Sequence, residues 1–191
     1  RRAWTGGSAA AGGSRGSRAD LRSAAGFLIW AVTGAGKTEM IFPLIACALA
    51  LGRRVAVATP RRDVVLELEP RLRRAFPQHT LIALYGGSGE RWRTGEITLA
   101  TTHQLLRFAA AFDVVIIDEL DAFPFHNSDS LQFAARRACK PQGRYIFLSA
   151  TPPLRLQRDA RRGKLPHVKV PVRFHRHPLP VPKLVRLPPL D

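Results

Sequence analysis

To hold a phosphate chain takes clustered backbone N–H groups and a lysine, and to hold its counter-ion takes hydroxyl and carboxylate oxygens. The sequence carries both sets. AVTGAGKT runs from Ala31 to Thr38, and DELD from Asp118 to Asp121. Gly34 and Gly36 permit a tight turn that a phosphate can approach closely. Thr33, Ala35 and Glu39 complete the loop and the first helical turn. Lys37 can reach β- and γ-phosphates, and Thr38 offers a hydroxyl to Mg²⁺. Asp118 would hold that ion directly or through water. Glu119 beside it would take the proton of an attacking water, the base that hydrolysis requires. Asp121 either couples this site to the rest of the molecule or caps a turn before Phe123-Pro124-Phe125. Together the residues predict nucleotide triphosphate hydrolysis with Lys37, Asp118 and Glu119 in the catalytic roles.

Such a loop works only between a strand and a helix, where the helix N-terminus adds its positive end to the N–H groups. Phe27 to Trp30 and Val114 to Ile117 read as the buried strands before the two motifs. A helix is expected over Thr38 to Leu51, stopped by Gly52, with Pro43 interrupting its apolar run. Further strands are expected at Arg54–Thr59, Thr80–Tyr85, Glu96–Thr101 and Tyr145–Leu148. Helices are expected at 63–76, 104–110, 130–138 and 155–163. Near-continuous Val, Ile and Leu strands alternating with helices specify an α/β fold, a parallel sheet covered by helices on both faces. In such sheets ligands bind beyond the carboxyl ends of the strands, and every motif sits at such an end.

The remaining strand ends also carry suitable groups. Ser149 and Thr151 place hydroxyls where they could relay between Glu119 and another ligand. Thr59-Pro60-Arg61, Gly86-Gly87 and Thr101-Thr102 offer small residues, hydroxyls and charge, suited to gripping a nucleic-acid backbone without reading its bases. The composition agrees with a polyanionic partner: the formal net charge is +16 over 191 residues, with 30 basic residues against 14 acidic. Only five of the basic residues are Lys, so either a polyanion or an arginine-rich coding bias accounts for the Arg excess. Cys47 and Cys139 lack metal-ligand spacing and read as buried free thiols of a reducing, intracellular protein. The longest apolar stretch, Met40 to Leu51, is too short to span a bilayer, so no integral membrane segment is expected. No signal peptide is visible.

Three segments are expected. Residues 1–25 are rich in Gly, Ser, Ala and Arg and read as a low-complexity, partly disordered lead. Residues 26–153 form the nucleotide-binding domain. Residues 154–191 read as a basic, Pro-rich connector, with a short helix at its start and a net charge of +8 from Pro152 onward. With Arg1 at its start and Met40 its sole Met, the chain reads as part of a longer protein.

The spelling AxTGxGKT with DE downstream resembles superfamily 2 helicases and translocases of the DEAD/DEAH type. LIWAVTGAGKTEM (28–40), ATPRRDVVLEL (58–68), ALYGGS (83–88), TTHQLLR (101–107), IIDELDAFPF (116–125), LQFAARRA (131–138) and LSATPP (148–153) resemble, more closely, the late competence translocases of the ComFA family. The resemblance implies a RecA-like first lobe that binds ATP and Mg²⁺ and moves single-stranded transforming DNA. It also implies a second RecA-like lobe supplying arginine fingers, and a cytoplasmic position at the inner face of the membrane beside other competence proteins. The family's four-cysteine zinc module lies upstream of the Trp corresponding to Trp4 and is not in this sequence. Nor is the family's Gln before the first strand, since the first Gln here is Gln78. Other superfamily 2 helicases of primosomal or repair type would share the two phosphate motifs but not TTHQLL or DELDAFPF. A nucleotide-gated DNA-binding module with little turnover is the alternative of another class.

Overall fold

The computed structural model describes residues 26–90, 93–122 and 128–176. The low-complexity lead and the FPF stretch after DELD lie outside them. Seven strands make one sheet: β1 (Gly26–Ala31), β2 (Val55–Thr59), β3 (Leu81–Leu84), β4 (Ile97–Thr101), β5 (Phe112–Ile117), β6 (Cys139–Ser149) and β7 (His167–Val170). Their order across the sheet is β3-β4-β2-β5-β6-β1-β7, with all pairings parallel. Parallel neighbours need crossovers, and helices supply them: α1 (Lys37–Ala50), α2 (Arg62–Ala75), α3 (Asp129–Ala138) and α4 (Leu154–Arg161), with a 3-10 turn at Thr102–Arg107.

Why the sheet lies inside follows from its side chains. β2, β3 and β4 are buried at every position, as a strand covered on both faces must be. One face packs Ile29, Val57, Leu99 and Ile116 under Ile41, Ile45, Leu68 and Leu72 of α1 and α2. The other packs Leu28, Val115 and Phe147 under Leu131, Ala134 and Ala135 of α3, with Leu105 and Ala160. Helices α1 and α2 run through Pro43 and Pro70 without ending there.

The register aligns the working ends. Thr59 lies opposite Thr101, Ala58 opposite Ile117, Ile117 opposite Phe147, Ser149 opposite Trp30, and Ala31 opposite Val170. A chain of such pairings brings all seven carboxyl ends to one edge.

Three features depart from the sequence reading. The helix expected at 104–110 is a 3-10 turn that begins earlier, at Thr102. Cys47 is exposed rather than buried, because it lies on the solvent side of α1; Cys139 is buried. The residues after α4 are not all connector. His167–Val170 forms the edge strand β7 beside β1, with Leu165 buried ahead of it. Its alternation is too short and its His and Lys too polar to announce a strand; the open edge of β1 recruits it.

Candidate functional site

The phosphate loop leaves β1 at Ala31 and re-enters helix at Lys37. Gly34 and Gly36 both stand at φ +79, a left-handed backbone that a Cβ would strain. Gly36 is the N-cap of α1, so the free N–H groups of the first helical turn face the loop. Lys37 lies over the loop with its Nζ donating to the Ala31 carbonyl at 3.4 Å. A long, weak bond of this kind leaves the ammonium available to a stronger acceptor. Thr38 is half-buried beside it, and Thr33 is exposed at the rim.

Two strands away in the sheet, Asp118 follows β5 and its N–H donates to the Ala58 carbonyl at 2.8 Å. Burial pushes its carboxyl above the ordinary value of 3.8, and the charges of Glu119 and Asp121 add to the shift, opposed by the Glu119 N–H and by Lys37. A buried carboxylate crowded by two others is short of positive charge, which a divalent ion would supply. Glu119 has φ +51, rare for a side chain of its size, and its N–H donates to Asp118 Oδ1 at 2.9 Å. That strained turn swings the Glu119 carboxylate outward, where it is 38% exposed and lies 3.7 Å from Arg61 Nε. Backbone strain of this kind clusters at functional sites.

Asp121 turns back toward β6. Ser149 Oγ donates to its Oδ1 at 2.5 Å, and Thr151 Oγ1 donates to Oδ2. Ser149 Oγ also accepts the Thr151 N–H at 3.0 Å. Burial works to raise the Asp121 carboxyl, but these hydroxyl bonds outweigh it and hold it below its ordinary range. Asp121 is thus bonded to the turn after the neighbouring strand, while the Phe123-Pro124-Phe125 turn that it could cap lies outside the described residues.

The structure therefore brings Lys37, Thr38, Asp118, Glu119, Asp121, Ser149 and Thr151 to one half of the sheet edge, on β5, β6 and β1. The residues proposed for nucleic acid occupy the other half, on β3, β4 and β2. Burial differs among them. Thr59, Thr101 and Thr102 are 0%, 8% and 0% exposed, the first two at the ends of β2 and β4 and the third at the start of the 3-10 turn. Arg61, Gly86 and Gly87 are exposed and Pro60 is half-buried, and Arg61 touches both halves through Glu119.

Two contacts had no local spelling to announce them. Trp30 Nε1 donates to the Ala150 carbonyl at 3.1 Å, which pins the Ser149–Thr151 turn to β1. The chain after β7 folds over the phosphate loop, where Phe174 N–H donates to the Gly34 carbonyl at 3.0 Å.

Comparison with known proteins accords with this arrangement. Over 158 residues the chain is 55% identical to the competence protein ComFA of Bacillus subtilis (strain 168), covering 83% of this chain and 34% of that protein. Over 160 residues it is 44% identical to the ComFA of Streptococcus pneumoniae, covering 84% of this chain and 37% of that one. It thus spans about a third of the length of these relatives. Among solved structures, a hypothetical ATP-dependent RNA helicase from Sulfolobus tokodaii shares the fold at TM-score 0.61 and 22% identity, over 80% of this chain and 49% of that one. The sheet accordingly has the RecA-like fold. The family model for DEAD/DEAH box helicases matches residues 18–159. That range takes in the whole sheet edge from phosphate loop to hydroxyl turn, and the chain belongs to the DEAD/DEAH box helicase family.

Proposed function

We propose that this chain is the ATP-hydrolysing first lobe of a translocase that moves single-stranded DNA, and that the complete protein works in uptake of transforming DNA at the inner face of the cell membrane, as its likeness to the ComFA proteins suggests. The observation that carries the reading is the bridge from Asp121 to both Ser149 and Thr151. It ties the acidic strand end, where hydrolysis would occur, to the neighbouring strand turn. Arg61 extends the same link toward the β2, β3 and β4 loops.

In this reading the Gly34–Thr38 backbone and Lys37 bind the β- and γ-phosphates of ATP. Thr38 and Asp118 hold Mg²⁺, which when bound neutralises charge on the phosphates. Glu119 orients the attacking water and accepts its proton. Asp121 senses that change through its hydrogen bonds and passes it to the Ser149–Thr151 turn. Pro60, Arg61, Gly86 and Gly87 grip the DNA backbone. A partner lobe closing on this edge would supply arginine fingers worth roughly 10³–10⁵ in rate, so the 191-residue chain alone should turn over slowly.

Two variants test the reading. Lys37→Ala should abolish nucleotide binding measured by calorimetry, since the phosphates lose their main counter-charge. Unchanged affinity would end the phosphate-loop assignment. Glu119→Gln in the full-length protein should keep ATP binding and lower DNA-stimulated hydrolysis by about 10²–10⁴-fold. Turnover within about threefold of the parent would show that the base lies elsewhere.

A further inference from the structure

The chain leaving β7 returns to the phosphate loop. Val32 N–H donates to the Val170 carbonyl at 3.1 Å, and four residues later Phe174 N–H donates to the Gly34 carbonyl at 3.0 Å. Between these two clamps stands Arg173. Its guanidinium lies against Gly34 so closely that a Cβ there would meet Nε at 2.9 Å and Nη2 at 3.3 Å. The side chain is half-buried. None of the ion pairs among the described residues involves Arg173.

The loop already holds Lys37 and the positive end of α1, and Arg173 brings to its far side a further cation that makes no ion pair among the described residues. Cationic groups converging on one loop are suited to binding an anion. Arginine suits that task, since its fork of N–H donors matches phosphate oxygens and its charge is permanent.

Resting on the nucleotide-binding reading above, we propose that Arg173 is a further binding residue of the nucleotide site, contacting the phosphate chain from the β7 side of the loop. The backbone clamp at Gly34 then means that the segment leaving this lobe is fastened to the loop that holds the phosphates. Phosphate occupancy is felt at the point where the chain departs. No local motif in the sequence marks this residue; the juxtaposition depends on β7 joining β1 at the sheet edge.

The test uses the 191-residue chain, with ATP and inorganic tripolyphosphate as probes in calorimetry. Tripolyphosphate isolates phosphate contacts from base and sugar contacts. Arg173→Ala should weaken both probes about tenfold, roughly 1.4 kcal/mol, with the melting temperature confirming a folded chain. Arg173→Lys should recover part of the loss, since charge returns without the fork. Arg74→Ala, in the last turn of α2, controls for loss of one positive charge and should change neither affinity. A loss with ATP but not with tripolyphosphate would overturn the phosphate contact, as would equal losses in Arg173→Ala and Arg74→Ala. If Lys37→Ala lost binding while Arg173→Ala kept it, the Arg173 inference would fall and the phosphate loop would stand. If the parent bound neither probe, both would fall.

Discussion

Two carboxylates three positions apart in this chain are held in opposite directions. Asp118 is raised from 3.8 by burial and by its acidic neighbours. Folding therefore disfavours its charged form, and that cost is present at neutral pH and relieved as pH falls through its folded pKa and the group takes up a proton. Asp121 is lowered from 3.8 because the bonds from Ser149 and Thr151 outweigh its burial. Its contribution favours folding above 3.8 and is lost as pH falls through its folded pKa. Asp118→Asn should therefore raise the melting temperature at pH 7 in the absence of nucleotide, and Asp121→Asn should lower it. Both differences should shrink as the pH is taken below the ordinary carboxylate range. Melting curves of parent and variants from pH 7 down to acid check the two signs. A shift of the same sign in both variants would contradict the geometry. Arg61→Ala is expected to leave the fold unchanged, since its contact with Glu119 is long and exposed and such pairs contribute about 0–1 kcal/mol.

At the scale of elements, each motif depends on the strand before it and the helix or turn after it. Ser128 caps α3, its Oγ accepting the Leu131 N–H at 3.3 Å, and α3 covers the sheet with Leu131, Ala134 and Ala135. Ser128→Ala should lower stability by about 1 kcal/mol in denaturant unfolding. Leu131→Ala should cost more, about 2–5 kcal/mol, because it empties a packed position under the sheet. The ordering is the test: if the cap cost more than the core residue, α3 would not be the cover of that face. β7 is the element with the least sequence signal and a large consequence. It closes the β1 edge, lets Lys169 Nζ stand 4.6 Å above the Trp30 ring, and sets the path that places Arg173 on the phosphate loop.

Over the whole molecule, charge and sheet order divide the labour. The groups proposed for nucleotide occupy β5, β6 and β1, and the residues proposed to grip a DNA backbone occupy the β2 and β3 ends. With a formal net charge of +16, affinity for single-stranded DNA should fall steeply with salt and vary little with base sequence, since neutralised phosphates release counter-ions. Truncation after Arg176 keeps β7 and its clamp on Gly34 but removes Lys183 and Arg186. It should flatten the slope of log affinity against log salt by about 0.7 for each DNA phosphate that is no longer neutralised. Arg61→Ala should also weaken binding and, in the full-length protein, make ATP turnover less responsive to DNA. A salt titration with labelled oligonucleotides, paired with DNA-stimulated hydrolysis, measures both. If truncation removed all binding and Arg61→Ala altered neither quantity, the charge would act as an unspecific tail and this sheet edge would lose its support as a DNA track.

The local order of residues determined a good deal by itself. Apolar runs, Phe27 to Trp30 and Val114 to Ile117, marked the strands before the two phosphate motifs, because a strand covered on both faces is mostly apolar. GAGKT determined a loop with two left-handed glycines, because few other residues tolerate that backbone. DELD after an apolar run determined an acidic strand end. Side-chain direction was settled only by the tertiary structure. Thr59, Thr101 and Thr102 sit in motifs that look ready for a ligand, yet all three are buried. Partners distant in sequence were settled there too. Asp121 meets Ser149 and Thr151 because β5 and β6 are neighbours. Arg173 meets Gly34 because an inconspicuous stretch adds itself to β1. Local spelling carries propensity and period; it carries no information about which strand lies beside which, and that adjacency builds the site.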